Sequence, residues 1–169
     1  PTPDTIIGTT NLCPGEKVIL STTPLADVDS FAWTTPAGSV IIGPSSGTSI
    51  NFQAGYNSGQ VCVQSINECG ISQAYCININ ITDTIDPAGL ISGPSEICEG
   101  VSSIFTIPLS NGATDYTWII NNGQIISGQG TNSINASFNN SGSLYVLITN
   151  ICDTVLSAAH SLDVFPNPT

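Results

Sequence analysis

Apolar and polar residues in this chain alternate, or cluster over four to eight positions, and almost nothing has helical spacing. The apolar runs are rich in Val, Ile, Thr and aromatics, and Gly, Pro, Asn and Ser break them at short intervals. That is the pattern of an all-β sandwich. The first half predicts strands near 17–23, 29–35, 39–42, 48–53, 60–66 and 74–81, with a short opening strand near 5–12. The second half predicts 102–108, 114–120, 124–127, 132–138, 143–149 and 155–164. Residues two apart on a strand share a face. Val61 and Val63 should therefore be core, as should Leu144, Val146 and Ile148, while Cys62 and Tyr145 should face outward.

The two halves are copies of one unit. Ile6-Ile-Gly8 through Cys13-Pro-Gly15 returns 85 residues later as Ile91-Ser-Gly93 through Cys98-Glu-Gly100. Phe31-Ala-Trp33 returns as Tyr116-Thr-Trp118 at the same spacing. Ser49-Ile-Asn51 returns at 84 as Ser133-Ile-Asn135, and Asn67-Glu-Cys69 at 83 as Asn150-Ile-Cys152. Two one-residue deletions explain the drift. A period this long is a whole small domain, longer than a solenoid repeat. The expected organisation is a domain at 1–83, a second at 84–165 and a short tail at 166–169, in an extended arrangement. Thr82-Asp-Thr-Ile-Asp-Pro-Ala-Gly89 reads as a short, semi-rigid linker.

Twelve Asp and Glu face a single cation, Lys17. That is a poor footprint for nucleic acid or an anionic membrane surface, which need clustered Lys and Arg. No apolar run approaches the ~18 residues of a membrane-spanning helix. Neither nucleic-acid partners nor membrane insertion are expected. The chain starts at Pro1 without Met, as expected for an internal piece of a longer precursor. Domains of this size are near the lower limit for a self-sufficient core, where cross-links help. Six cysteines in a Lys-poor chain fit an oxidising compartment.

The ordered set of motifs suggests a family. Cys-x-Gly occurs at 13–15 and 98–100, and aromatic-x-Trp at 31–33 and 116–118. Ser58-Gly-Gln-Val-Cys-Val63 leads into Asn67-x-Cys69, and Ser141-Gly-Ser-Leu-Tyr-Val146 into Asn150-x-Cys152. This resembles the PKD-like, immunoglobulin-like repeats of Bacteroidota surface proteins and covers both halves. The second copy departs at Asp153, where the first has Gly70, and the Gly-Asp-Gly found after the tryptophan strand in PKD repeats is missing. The closing stretch Val164-Phe165-Pro166-Asn167-Pro168 resembles the opening of the C-terminal sorting domain used by type IX secretion. The resemblance implies an extracellular or cell-surface protein handled by that machinery. It also implies O-glycans on Asp-Thr-aliphatic sites, which Thr5, Thr84 and Thr154 match.

Catalytic material is sparse. His160 is the only histidine, and Asp163 on the same strand faces the other side, so no Ser-His-Asp triad is expected. Cysteine spacings are too wide for a zinc site. Asp27 with Asp29, and Asp83 with Asp86, offer carboxylates for calcium or are solvated loop residues, and EF-hand spacing is absent. No cofactor is expected. Trp33 and Trp118 could form a sugar platform, but their recurrence at one strand position favours core packing. Tyr56, Tyr75 and Tyr145 form no row.

Cys62 and Cys76 lie on consecutive strands with Cys69 midway, and their counterparts Tyr145 and Ala159 are lost together. A cross-strand disulfide explains both facts. The repeated cysteines leave three outcomes open: Cys13–Cys69 with Cys98–Cys152 inside the domains, Cys13–Cys152 between them, or free thiols. In a sandwich a full strand length of about 17–20 Å would separate the intradomain partners, against a Cα limit near 7 Å for a disulfide. In the second outcome, Cys69 and Cys98 would await neighbouring modules. The functional expectation is a non-catalytic structural or adhesive module whose partners are neighbouring domains, surface glycans or surface proteins. The alternative is an accessory carbohydrate-binding or spacer pair of a secreted hydrolase.

Overall fold

The computed structural model describes residues 1–168, which form two compact units that meet in sequence between Asp83 and Thr84. The described residues contain strands and turns and no helix.

In the first unit, β2 (Lys17–Ser21), β5 (Ser49–Gln53) and β4 (Val40–Ile41) make a three-stranded antiparallel sheet in that order. A second sheet runs β1 (Asn11–Leu12), β8 (Tyr75–Ile81), β6 (Gly59–Asn67), β3 (Ser30–Thr34), and the short β7 (Gly70–Ile71) also pairs with β6. The inward positions of both sheets meet in one core that includes Leu20, Trp33, Phe52, Val61, Val63 and Ile79. Period-two alternation places these residues, since each is flanked by residues more exposed than itself.

The opening segment does not make one strand over 5–12. Ile7 pairs with Ser21 at the edge of the three-stranded sheet. The chain then crosses over, and β1 runs parallel to β8 in the other sheet. The second unit repeats the switch with a Ser92–Thr106 bridge, after which β9 (Glu96–Cys98) runs parallel to β14 (His160–Phe165). At both crossings a glycine lies directly on a core side chain. A Cβ on Gly8 would stand 2.4 Å from Leu20 Cδ2, and one on Gly93 would stand 2.3 Å from Phe105 Cδ1.

The second unit adds β10 (Ser102–Thr106), β11 (Asp115–Ser127), β12 (Ser133–Thr149) and β13 (Thr154–Leu156). Four of the expected strands merge into two. The segments 114–120 and 124–127 form the single β11, and 132–138 and 143–149 the single β12. Pairing runs to Asn121–Ser143 and resumes at Gly123–Phe138 after a register shift. Asn122, with φ 62°, absorbs the bend and donates from Nδ2 to Ser141 O at 2.9 Å. In the first unit Pro36 stands where Asn121 stands in the second. Proline has no N–H to donate and breaks a strand there. Its carbonyl instead closes a turn by accepting from Ser39 N at 3.1 Å.

The expected strand 155–164 splits instead. Buried Ser157 interrupts it by accepting from Val146 N at 2.9 Å and donating to Ala158 O at 3.0 Å. The expected linker is also shorter than 82–89. Thr82 N still bonds Leu12 O in the first unit, at 3.0 Å. Ile85 is already buried in the core of the second, and Asp86 N bonds Asn111 O at 3.2 Å.

Candidate functional site

The chemistry on this surface belongs to six cysteines, two on paired strands and four in turns. Cys62 and Cys76 stand directly opposite on β6 and β8, with Cα atoms 4.1 Å apart, and form a disulfide across 14 residues. The bond lies on the outer face, since Val61 and Val63 on either side of Cys62 point into the core. In the second unit the β12–β14 register runs Gly142–Leu162, Ser143–Ser161, Leu144–His160. Tyr145 and Ala159, the sequence counterparts of Cys62 and Cys76, come next on the two strands, before the register slips by one residue to Leu147–Leu156.

The other four cysteines occupy two kinds of turn, each present once per unit. In the first, Glu16 N bonds Cys13 O at 3.1 Å, and Val101 N bonds Cys98 O at 3.1 Å. Gly15 and Gly100 supply the positive φ, 79° and 74°, that these turns need. In the second kind, an asparagine side chain caps the turn. Asn67 Oδ1 accepts from Cys69 N at 3.0 Å, and Asn150 Oδ1 from Cys152 N at 2.7 Å. The repeated Asn-x-Cys spacing carried this signal, because Asn readily bonds a backbone N–H two residues on.

Cys69 and Cys98 are exposed free thiols, whereas Cys13 and Cys152 are disulfide-bonded. The intradomain pairs Cys13–Cys69 and Cys98–Cys152 therefore do not form, and the expectation of disulfides at Cys69 and Cys98 is not met in the structure. Distance is the reason. Cys13 follows Leu12, which pairs with Ile81 near the Gly59 end of β6, and Cys69 lies beyond Asn67 at its other end. The nine residues of β6 span about 27 Å, against a Cα limit near 7 Å for a disulfide. Cys98 and Cys152 are separated likewise, one near the Gly142 end of the second half of β12 and the other beyond Thr149.

A family model for the PKD-like domain matches residues 1–79 and, a second time, residues 84–164. The chain belongs to the PKD-like domain family. Solved structures share the fold of the tandem PKD-like domains at low identity. A chain of the mouse coronavirus receptor-binding domain complexed with its murine receptor matches with TM-score 0.63 at 15% identity, over 95% of this chain and 100% of that one. Murine CEACAM1b matches with TM-score 0.53 at 15% identity, over 95% and 100%. Titin domains A168–A170 match with TM-score 0.58 at 17% identity, over 99% of this chain and 65% of that one. These likenesses show an immunoglobulin-like fold. No curated protein matches.

The remaining sequence candidates are dispersed over the PKD-like domains. Trp33 and Trp118 are core residues, and their indole N–H groups donate to Gly47 O at 2.9 Å and Thr131 O at 2.7 Å. His160 Nε2 lies 3.1 Å from Pro94 O, and its ring stands edge-on to Phe105 with centroids 5.7 Å apart. Asp163 is exposed and pairs with Glu96 across β14 and β9. Asp27, Asp29, Asp83 and Asp86 are exposed, and the described residues contain no group of three or more His, Cys, Asp or Glu able to hold a metal. Tyr56 is exposed, while Tyr75 and Tyr145 are half-buried. Thr84 and Thr154 are exposed and Thr5 is half-buried. Phe165 closes β14 opposite Cys98, Asn167 Nδ2 donates to Glu99 O at 3.3 Å, and Pro166 and Pro168 are exposed.

Proposed function

We propose that the two PKD-like domains are a non-catalytic structural or adhesive stretch of a longer protein exposed outside the cell. The observation that carries this reading is the duplication of one whole immunoglobulin-like module. A repeated module supplies length and surface, and the fold by itself assigns no chemistry. Disulfide chemistry fits an oxidising compartment. No helix of the described residues is long and apolar enough to cross a membrane. The resemblance of Val164-Phe-Pro-Asn-Pro168 to a sorting-domain opening supports export by type IX secretion from a Bacteroidota cell. The partners on this reading are neighbouring domains, surface glycans or other surface proteins. Thr5, Thr84 and Thr154 would carry O-glycans there, and Thr84 and Thr154 have the exposure that this needs.

Fractionation of the native host tests the reading. The parent protein is expected on the surface or in the medium, and expected to be lost from both when type IX secretion is disabled. Cytoplasmic retention, or turnover of a glycan or peptide by this chain alone, would overturn it. Mass spectrometry of native material checks the three threonines. Unmodified peptides at all three would remove the glycan proposal and leave the rest standing.

A further inference from the structure

The two cysteine turns lie at opposite ends of each PKD-like domain, and those ends follow chain direction. In the first domain the chain enters beside Cys69, where the Pro1 carbonyl accepts a hydrogen bond from Ser65 and a shallow cavity of about 280 Å³ is lined by Pro1, Cys69 and Gly70 among others. It leaves beside Cys13, since Thr82 N, just after β8, bonds Leu12 O. In the second domain the chain enters beside Cys152, with Ile85 N donating to Asp153 Oδ2 at 3.4 Å. It leaves beside Cys98, which pairs with Phe165 at the end of β14. Every domain thus carries an asparagine-capped cysteine at its entry end and a Cys-x-Gly cysteine at its exit end.

Each kind of turn is found once bonded and once free. The exit turn is bonded at Cys13 and free at Cys98, and the entry turn is bonded at Cys152 and free at Cys69. One hydrogen bond is common to the bonded and free copies of each turn: Cys13 O and Cys98 O both accept from the N–H three residues on, and Cys69 N and Cys152 N both donate to the asparagine Oδ1 two residues before. Cross-links within a domain are excluded by the strand length between its ends. A disulfide formed by either free thiol must therefore leave its own domain.

We propose that Cys69 and Cys98 are junction cysteines, each cross-linking to the opposite kind of turn on another module of this type. In a head-to-tail array the exit end of one module meets the entry end of the next. Cys98 would then bond the entry-turn cysteine of a following module, and Cys69 the exit-turn cysteine of a preceding one. Each bond joins two sulfurs as both thiols lose a proton, and two electrons pass to a disulfide oxidant such as oxidised glutathione, which leaves as two thiols. This rests on the array reading for the source of the partner module. The pairing rule itself is tested on this chain without regard to its location in the cell.

The test uses the oxidised, otherwise intact chain at about 1 mM, the effective concentration that a short tether gives, in a glutathione redox buffer. Non-reducing electrophoresis and peptide mapping read the products. Wild type is expected to give a ladder whose intermolecular bonds are Cys69–Cys98, exceeding Cys69–Cys69 and Cys98–Cys98 by about tenfold or more through matched ends. C69S alone and C98S alone are expected to stay largely monomeric, and an equimolar mixture to give one dimer through the remaining Cys98 and Cys69. Both substitutions sit in exposed turns, and unchanged melting of the variants confirms that they fold. Statistical pairing, a preference for like-with-like dimers, or monomers carrying only glutathione would each overturn the proposal. Cytoplasmic location of the parent would sink the array's surface role and leave this pairing result intact.

Discussion

The Cys62–Cys76 bond provides a measurement with its own control inside the same chain. Replacing both residues in C62T/C76T removes the cross-link and keeps a strand-compatible pair on the outer face. The bond spans 14 residues. In the chain-entropy account, closing a loop of that size restricts the unfolded chain by about 3 kcal/mol. For a domain of under 100 residues, each kcal/mol moves the melting midpoint by about 4–8 °C, so the expected loss is about 15 °C. Calorimetry should show the transition of the first domain falling by that amount while the other stays in place. The reverse experiment uses the second domain, where Y145C/A159C would also close a loop of about 14 residues. Its expected gain is about 2 kcal/mol, because half-buried Tyr145 loses some packing. A first-domain shift below about 5 °C, or a bond at 145–159 that forms without raising the midpoint, would refute the loop-length reasoning.

Gly93→Ala should destabilise the second domain by about 1–3 kcal/mol, seen as a lower urea midpoint, because the new methyl would overlap Phe105, which is fully buried. Trp118→Phe should cost about 1–3 kcal/mol in the same assay, since it strips Thr131 O of the indole donor in a site 2% exposed. Asn150→Ala should cost about 1–3 kcal/mol, because its side chain accepts from Cys152 N and Asp153 N and donates to Gly112 O. Adding saturating calcium, or a chelator, should move neither melting transition by more than about 1 °C, and a larger rise with calcium would reveal a binding site.

The sequence by itself determined the all-β class, the duplication, the core faces and the position of both tryptophans. Each follows from local rules: period-two alternation assigns faces such as Val61 and Val63, and an 83–85 residue offset reports a copied domain. The Cys62–Cys76 pairing was legible because the two residues lie on strands that follow each other closely in sequence and pair antiparallel, and because both cysteines are lost together at their counterparts Tyr145 and Ala159. Tertiary structure decided what depends on distant segments. Whether β11 bends as one strand or breaks like β3 and β4 turns on a paired partner across β12 and on Pro36 against Asn121. The requirement for glycine at Gly8 and Gly93 appears only when Leu20 and Phe105 are brought beneath them. Strand length already argued from the sequence against the intradomain cysteine pairs, because it holds the two ends of each sandwich beyond the reach of a disulfide. That Cys69 and Cys98 stay exposed thiols was decided only by the tertiary structure, since it depends on which turns come within reach of each sulfur and not on spacing along the chain.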